Sequence, residues 1–290
     1  METRITGAAK SVCLLGDPVA HSISPQIHNR AFEALGLPYV YIPLRVEPRS
    51  LHSAIHTLRF GMAGANVTIP HKERALRFCD EISELSAAAG AVNTLYLKNG
   101  RLCGTTTDPA GFYRALEAAG RVLDGGDDAV ILGSGGTART LGAALLLDKK
   151  CRSLVIAARS VDKAEALALS IKGLGKAPVS GVKTGSPQSA ELLGKCTLLV
   201  NCTSVGMHPN VDDTPLDRSF FNSGMTVFDA VYNPGETRFL REAAAAGCVA
   251  RNGLLMLLHQ GLESFRYWTG VDAPADIFDE AWLRSLVCND

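Results

Sequence analysis

The sequence predicts an α/β protein made of two α/β domains, and three observations carry that expectation. Strand-like and helix-like patterns alternate along the whole chain, the cadence of sheets joined by crossover helices. Near the middle, "AVILGSGGTARTLG" (129–142) is an apolar strand that runs into a glycine cluster and then a helix. Just ahead of it the texture changes at "RVLDGGDD" (121–128), a polar, glycine-rich connection. A length of 290 residues suits one large domain or two modest ones.

The elements follow in order. "SVCLLGD" (11–17) reads as a buried strand ending in glycine. "SPQIHNRAFEALG" (24–36) reads as a helix, with Ser24 as N-cap, Pro25 at the first helical position and Gly36 past the end. Ile27, Ala31, Phe32 and Leu35 supply its buried stripe. Next come a strand at 39–44, a polar helix near 48–59, and a strand at 65–69 in which Val67 and Ile69 alternate with Asn66 and Thr68. A helix follows Pro70 and delivers Lys72. Asp108 precedes Pro109 and a helix carrying Phe112, Leu116 and Ala119, so spacing alone makes it an N-cap. Beyond the glycine cluster, strand signals recur at 153–158, 197–202, 225–232 and 247–250, and 252–270 reads as a final helix.

Composition narrows the functional classes. Nearly half the residues are hydrophobic (47%) and the net charge is zero, so a sizeable core is expected and no electrostatic case exists for nucleic acid or anionic membranes. The longest apolar runs, such as "GAALLL" (142–147), are far shorter than a membrane span. The opening "METRITGAAKS" lacks an apolar core, so no secretory signal is expected and the cytoplasm is the expected compartment. The eight cysteines (13, 79, 103, 151, 196, 202, 248, 288) show no metal-ligand spacing and read as reduced thiols, and the seven histidines are dispersed. No metal is expected. Small molecules are the expected partners, with a monomer or homodimer both open.

The glycine cluster suits a nucleoside diphosphate. Gly133, Gly135 and Gly136 permit a tight turn and close backbone approach, and the helix opening with Thr137 and Ala138 offers free N–H groups. The next strand, "SLVIAA" (153–158), ends not in a carboxylate but in Arg159 and Ser160, with Lys163 nearby. Cations there suit a 2′-phosphate, which points to NADP over NAD.

Short polar groups at element ends mark the first part of the chain: Ser22 and Ser24, then Asn66, Thr68 and Lys72, then Asn93 and Asp108. Taken singly, each has an ordinary explanation as a cap, a turn residue or a solvated charge. Taken as a series, "HSISPQIHN", "NVTIPHKE", "GAVNTL", "TTDPAGF", "GSGGTAR", "NCTSVGM", "DAVYNP" and "NGLLMLLHQG" occur in the order seen in the shikimate/quinate dehydrogenases, and the chain resembles that family from about residue 11 to 270.

That resemblance implies an N-terminal substrate-binding domain (1–106) completed by C-terminal helices (252–290), with a Rossmann-like NADP-binding domain (107–251) inserted between. It implies NADP-dependent reduction of 3-dehydroshikimate to shikimate in aromatic amino-acid biosynthesis. Lys72 and Asp108 match the catalytic pair. Ser22, Ser24, Asn66, Thr68, Asn93, Tyr232 and Gln260 match substrate-binding positions. Gly133, Gly135, Gly136, Thr137, Ala138, Arg159, Ser160, Lys163, Thr203, Ser204, Gly253 and Met256 match cofactor positions, with Asn201 at the strand end beside the cofactor. Three positions depart from the family pattern: Thr106 and Ala158 replace asparagines, and Leu255 replaces glycine. Altered constants are expected from them, with the chemistry retained. Two rival readings are a quinate/shikimate dehydrogenase that accepts NAD, and a non-catalytic sensor of a metabolite or NADP(H).

Overall fold

A computed structural model describes residues 5–287; Cys288 lies outside them. In chain order the elements are β1 (Lys10–Gly16), α1 (Ser24–Ala34), β2 (Tyr39–Arg45), α2 (Leu51–Gly61), β3 (Gly64–Val67), α3 (Lys72–Leu76), β4 (Glu81–Ile82), α4 (Glu84–Ala89), β5 (Thr94–Lys98), β6 (Arg101–Thr105) and α5 (Asp108–Glu117). They continue with β7 (Asp128–Leu132), α6 (Gly136–Leu147), β8 (Ser153–Ala158), α7 (Val161–Ile171), β9 (Val179–Lys183), α8 (Pro187–Leu193), β10 (Leu198–Asn201), β11 (Thr226–Asp229), α9 (Arg238–Ala245), β12 (Val249–Asn252), α10 (Leu254–Thr269) and α11 (Glu280–Val287). The chain forms two compact units. One joins the residues up to Gly111 to Leu258–Leu283, and the other is centred on Phe112–Leu257.

The first unit carries a mixed sheet of order β2-β1-β3-β5-β6-β4. β1 pairs in parallel with β2 and β3, whereas β3/β5 and β5/β6 are antiparallel. Cys13, Leu15, Leu51, Ile55, Leu58 and Val67 are among the residues of its buried core. α10 closes another face. The Trp268 indole N–H donates to the Leu95 carbonyl at 3.0 Å, and the ring lies so close to β3 that only glycine fits at position 64. His28 stacks on Tyr41 with ring centroids 4.4 Å apart. Burial pushes its imidazole down to about 3, so the ring is neutral.

The second unit carries a wholly parallel sheet of order β12-β11-β10-β7-β8-β9. Read from β9, its strands run third, second, first, fourth, fifth, sixth within the unit, the doubly wound order of dinucleotide-binding folds. The reversal falls between β7 and β10. Val130, Leu132, Val155, Leu199, Val227 and Phe239 contribute to its core. Among the described residues no helix is long and apolar enough to cross a membrane. None of the seven described cysteines forms a disulfide, and burial pushes the Cys13 thiol up to about 12.

Several local expectations are corrected. The N-cap expected at Ser24 falls on Ile23, which makes no side-chain cap bond. The Ser24 N–H is satisfied instead by Ser22 Oγ at 3.3 Å. The polar helix expected near 48–59 opens with a 3₁₀ turn at Pro48–Ser50 and runs on to Gly61. The strand expected at 65–69 ends at Val67, because the Thr68 carbonyl accepts the His71 N–H and bends the chain into a turn. Ile69 stands on that turn and is 74% exposed, not on the core face that alternation assigned to it. The strand expected at 225–232 ends at Asp229, whose carboxylate takes the Val231 N–H and turns the chain.

The crowding at Gly64 predicts a measurable cost. A Cβ there would lie 2.2 Å from the Trp268 ring and 2.5 Å from the Leu95 carbonyl. Gly64→Ala is expected to lower unfolding free energy by about 1–3 kcal/mol in urea titrations. Gly61→Ala, where nothing lies within 4 Å of the added carbon, is expected to leave it unchanged or raise it by up to about 1 kcal/mol.

Candidate active site

In the first unit, two helix starts and one strand start converge. Lys72 opens α3, Asp108 opens α5, and Asn93 immediately precedes β5. Lys72 Nζ donates to Asp108 Oδ2 at 2.7 Å; the lysine side chain is 26% exposed and the aspartate side chain 9%. The Asp108 carboxylate, expected from spacing to serve as an N-cap, is thus turned to an ammonium. Its other oxygen accepts Asn93 Nδ2 at 2.7 Å. The same amide nitrogen faces Thr107 Oγ1 at 2.9 Å and Gln260 Oε1 at 3.1 Å. Asn93 Oδ1 accepts the Thr107 N–H at 2.9 Å and the Thr94 hydroxyl at 2.8 Å. Lys72, Asp108, Asn93 and Gln260, drawn from four separate motifs, therefore form one cluster.

Asn66 lies beneath that cluster, 6% exposed. Its Oδ1 accepts the Tyr41 hydroxyl at 2.9 Å, while its Nδ2 donates to the Asn93 carbonyl at 3.2 Å and to Ser264 Oγ at 3.0 Å. Its polar groups are thus engaged within the protein. Ser264 also meets Thr94 at 2.7 Å and Thr107 at 3.1 Å. Thr107, Thr94, Ser264 and Tyr41 were not among the sequence-predicted residues. A signal for Ser264 existed, since it lies one helical turn beyond Gln260 on the same face of α10. Ser22 is half-buried and Ser24 buried, and the Ser22 hydroxyl serves the Ser24 N–H, not the Lys72–Asp108 cluster. Thr68 is half-buried just past β3, and Thr106 is buried beside Thr107. Tyr232 belongs to the second unit, where it is half-buried.

In the second unit, a cavity of about 480 Å³ opens at the carboxyl ends of β7, β8 and β10. Gly133, Ser134, Gly135, Arg159, Ser160 and Lys163 line it, together with Thr203 and Ser204. Gly133 has φ +110°, and a Cβ there would press on Thr203 and the Cys202 backbone at 3.1–3.3 Å, so both conformation and space require glycine. Gly135 caps α6, whose twelve residues begin at Gly136, and Thr137 and Ala138 occupy its first turn. Arg159 and Lys163 are exposed and carry no ion pair among the described residues, and no Asp or Glu lines the cavity. Ser160 caps α7 by accepting the Lys163 N–H at 3.4 Å. Thr184, Cys202 and Thr214 also line the cavity and were not predicted; only the tertiary course of the loops after β9 and β10 brings them there. Ala158, at the end of β8, is a lining residue too.

Gly253 and Met256 are not in that lining. Gly253 packs against the Ala230 carbonyl, which an added Cβ would approach to 2.4 Å, and Met256 is buried in the first turn of α10. Leu255 beside it is half-buried. Among the described residues no group of three or more His, Cys, Asp or Glu could hold a metal ion.

Comparison with known proteins bears on both regions. Residues 14–95 match the shikimate dehydrogenase substrate binding domain, and residues 253–281 match the shikimate 5′-dehydrogenase C-terminal domain. The chain is 42% identical over 288 residues to the shikimate dehydrogenase (NADP(+)) of Methanothermobacter thermautotrophicus, covering 97% of this chain and 99% of that one. Its structure is similar to shikimate 5-dehydrogenase from Thermus thermophilus in complex with NADP(H) and shikimate, with a TM-score of 0.83, 34% identity and coverage of 96% and 98% of the two chains. It is similar also to shikimate 5-dehydrogenase from Listeria monocytogenes in complex with shikimate and NAD, with a TM-score of 0.89, 31% identity and 98% coverage of each chain. Full-length identity at this level and the agreement of fold lead to one conclusion: the chain belongs to the shikimate dehydrogenase family.

Proposed function

We propose that this chain is an NADP-dependent oxidoreductase that reversibly reduces 3-dehydroshikimate to shikimate in aromatic amino-acid biosynthesis. The observation that carries the reading is the Lys72–Asp108–Asn93 cluster, a proton donor held at 2.7 Å by a carboxylate that is itself hydrogen-bonded by an amide. In this reading the first unit holds the substrate and the second the cofactor. The second unit's cavity fits NADP by its chemistry: a glycine turn and helix start for the diphosphate, and for the 2′-phosphate two cations that carry no ion pair among the described residues, with no carboxylate in the lining.

NADPH, when bound, supplies the hydride that reduces the substrate ketone. The developing alkoxide needs a proton, and the Lys72 ammonium donates it; in oxidation the lysine takes it back. Asp108 holds the ammonium and balances its charge, and Asn93 fixes the carboxylate. Ser22, Ser24, Thr68 and Gln260 are assigned to the substrate's carboxylate and hydroxyls. Action in the cytoplasm on free small molecules, as a monomer or homodimer, belongs to the same proposal. The seven described cysteines form no disulfide, which supports a reducing compartment.

Lys72→Ala and Asp108→Asn are each expected to cut kcat by about 10²–10⁴-fold while circular dichroism stays that of the unchanged protein. Near-normal rates in either variant would remove the pair from the chemistry. Arg159→Ala is expected to raise KM for NADP by about tenfold and leave KM for NAD unaltered. Initial rates with shikimate or quinate, each with NADP or NAD, test the rest. A quinate–NAD rate above the shikimate–NADP rate would select the quinate reading, and hydride transfer in none of the four would favour a sensor.

A further inference from the structure

In the second unit, one buried carboxylate ties together the segments that follow β10 and β11. Asp229 ends β11 and has no exposed surface. Its Oδ1 accepts Asn201 Nδ2 at 2.9 Å and the Val231 N–H at 3.0 Å, and its Oδ2 accepts the Thr237 hydroxyl at 2.7 Å. Asn201 ends β10 and is equally buried. Its Oδ1 accepts both the N–H and the hydroxyl of Thr203, at 3.0 and 2.7 Å. Thr203 Oγ1 in turn accepts the Val205 N–H at 3.2 Å. Thr203, Ser204 and Val205 all line the cavity assigned to NADP.

The direction of this chain of hydrogen bonds follows from the donor inventory. An ionised carboxylate only accepts, so Asn201 must turn its amide N–H toward Asp229 and its carbonyl toward Thr203. A neutral amide at position 229 could present N–H instead, and the Asn201 side chain could then flip and leave Thr203 without its acceptor. We infer that Asp229 is a positioning residue for cofactor binding: by orienting Asn201 it holds Thr203 and the 203–205 loop in the shape that receives the dinucleotide. Burial raises the Asp229 carboxyl to about 6, against the opposing pull of its three hydrogen bonds, so the group is ionised at neutral pH.

The inference rests on the NADP reading of this cavity, and the experiment separates the two. NADPH binding is titrated by cofactor fluorescence on the full chain and on Asp229→Asn, Thr203→Val and the double variant. Each single substitution is expected to raise Kd about tenfold, and the double to be less than about twofold worse than the weaker single, because both break one chain of bonds. Thr237→Val removes the α9 cap and the other side-chain donor to Asp229; it is expected to lower Tm yet keep Kd within about twofold, whereas a purely structural role for Asp229 would move Tm and Kd together. Wild-type Kd in folded Asp229→Asn, or additive losses in the double, would overturn the inference. No NADPH binding by the unchanged chain would overturn the NADP reading instead. If Asp229→Asn does not fold, Asn201→Ala takes its place in the cycle with Thr203→Val, with the same two outcomes.

Discussion

The first unit's site depends on a shortage of protons at one side chain. Asn93 has two amide hydrogens, and three acceptors face them: Asp108, Thr107 and Gln260. Its single carbonyl oxygen is taken by the Thr107 N–H and the Thr94 hydroxyl. With every polar group engaged, the amide cannot rotate without leaving a buried group unpaired, which costs about 1–3 kcal/mol. That fixes Asp108, and Asp108 fixes Lys72. The support continues downward, because the antiparallel register of β3 against β5 places Asn66 opposite Thr94. Asn66 then reaches the Asn93 carbonyl, Ser264 and Tyr41. An ammonium whose work is to lose and regain a proton is thereby mounted on a rigid base.

The second unit solves a similar problem with a buried carboxylate. The segment after β10 lines the cavity, and it and the segment after β11 would be free to move if only backbone held them. Asp229 accepts from both segments at once, from Asn201 on one side and from the Val231 N–H on the other. Low dielectric makes such a chain strong when every member is satisfied and costly when one is not. In both units, then, the residues facing open space are held by fully buried polar groups one layer further in.

Much of this was legible in the sequence, and what was not has identifiable causes. The strand–glycine–helix run at 129–142 named its own structure, because φ +110° at Gly133 and a helix start at Gly136 are local consequences of residue type. Lys72 and Asp108 were legible as a pair through the family resemblance, but not that Asn93 and Gln260 join them, since the contacts in the cluster span up to 167 positions. Thr107 escaped notice because a buried hydroxyl looks like any small residue until its partners are known, whereas Ser264 was marked only by its place one turn beyond Gln260 on α10. Alternation misled at Ile69, where a turn hydrogen bond from His71 to Thr68 ended the strand early. Capping rules misled at Asp108, whose carboxylate meets an ammonium and an amide brought in from elsewhere.

The sequence by itself determined the alternation of strands and helices, the glycine turn, the absence of a carboxylate at the end of β8, and the presence of a lysine, an aspartate and an asparagine at element ends. These are properties of short stretches, governed by backbone sterics, hydrophobic period and side-chain chemistry. Only the tertiary structure decided which acceptors Asn93 serves, that Asn66 lies beneath the site, and that Asp229 orients Asn201. Hydrogen-bond partners are chosen by distance and direction in space, and strand pairing sets those between residues that the sequence keeps far apart.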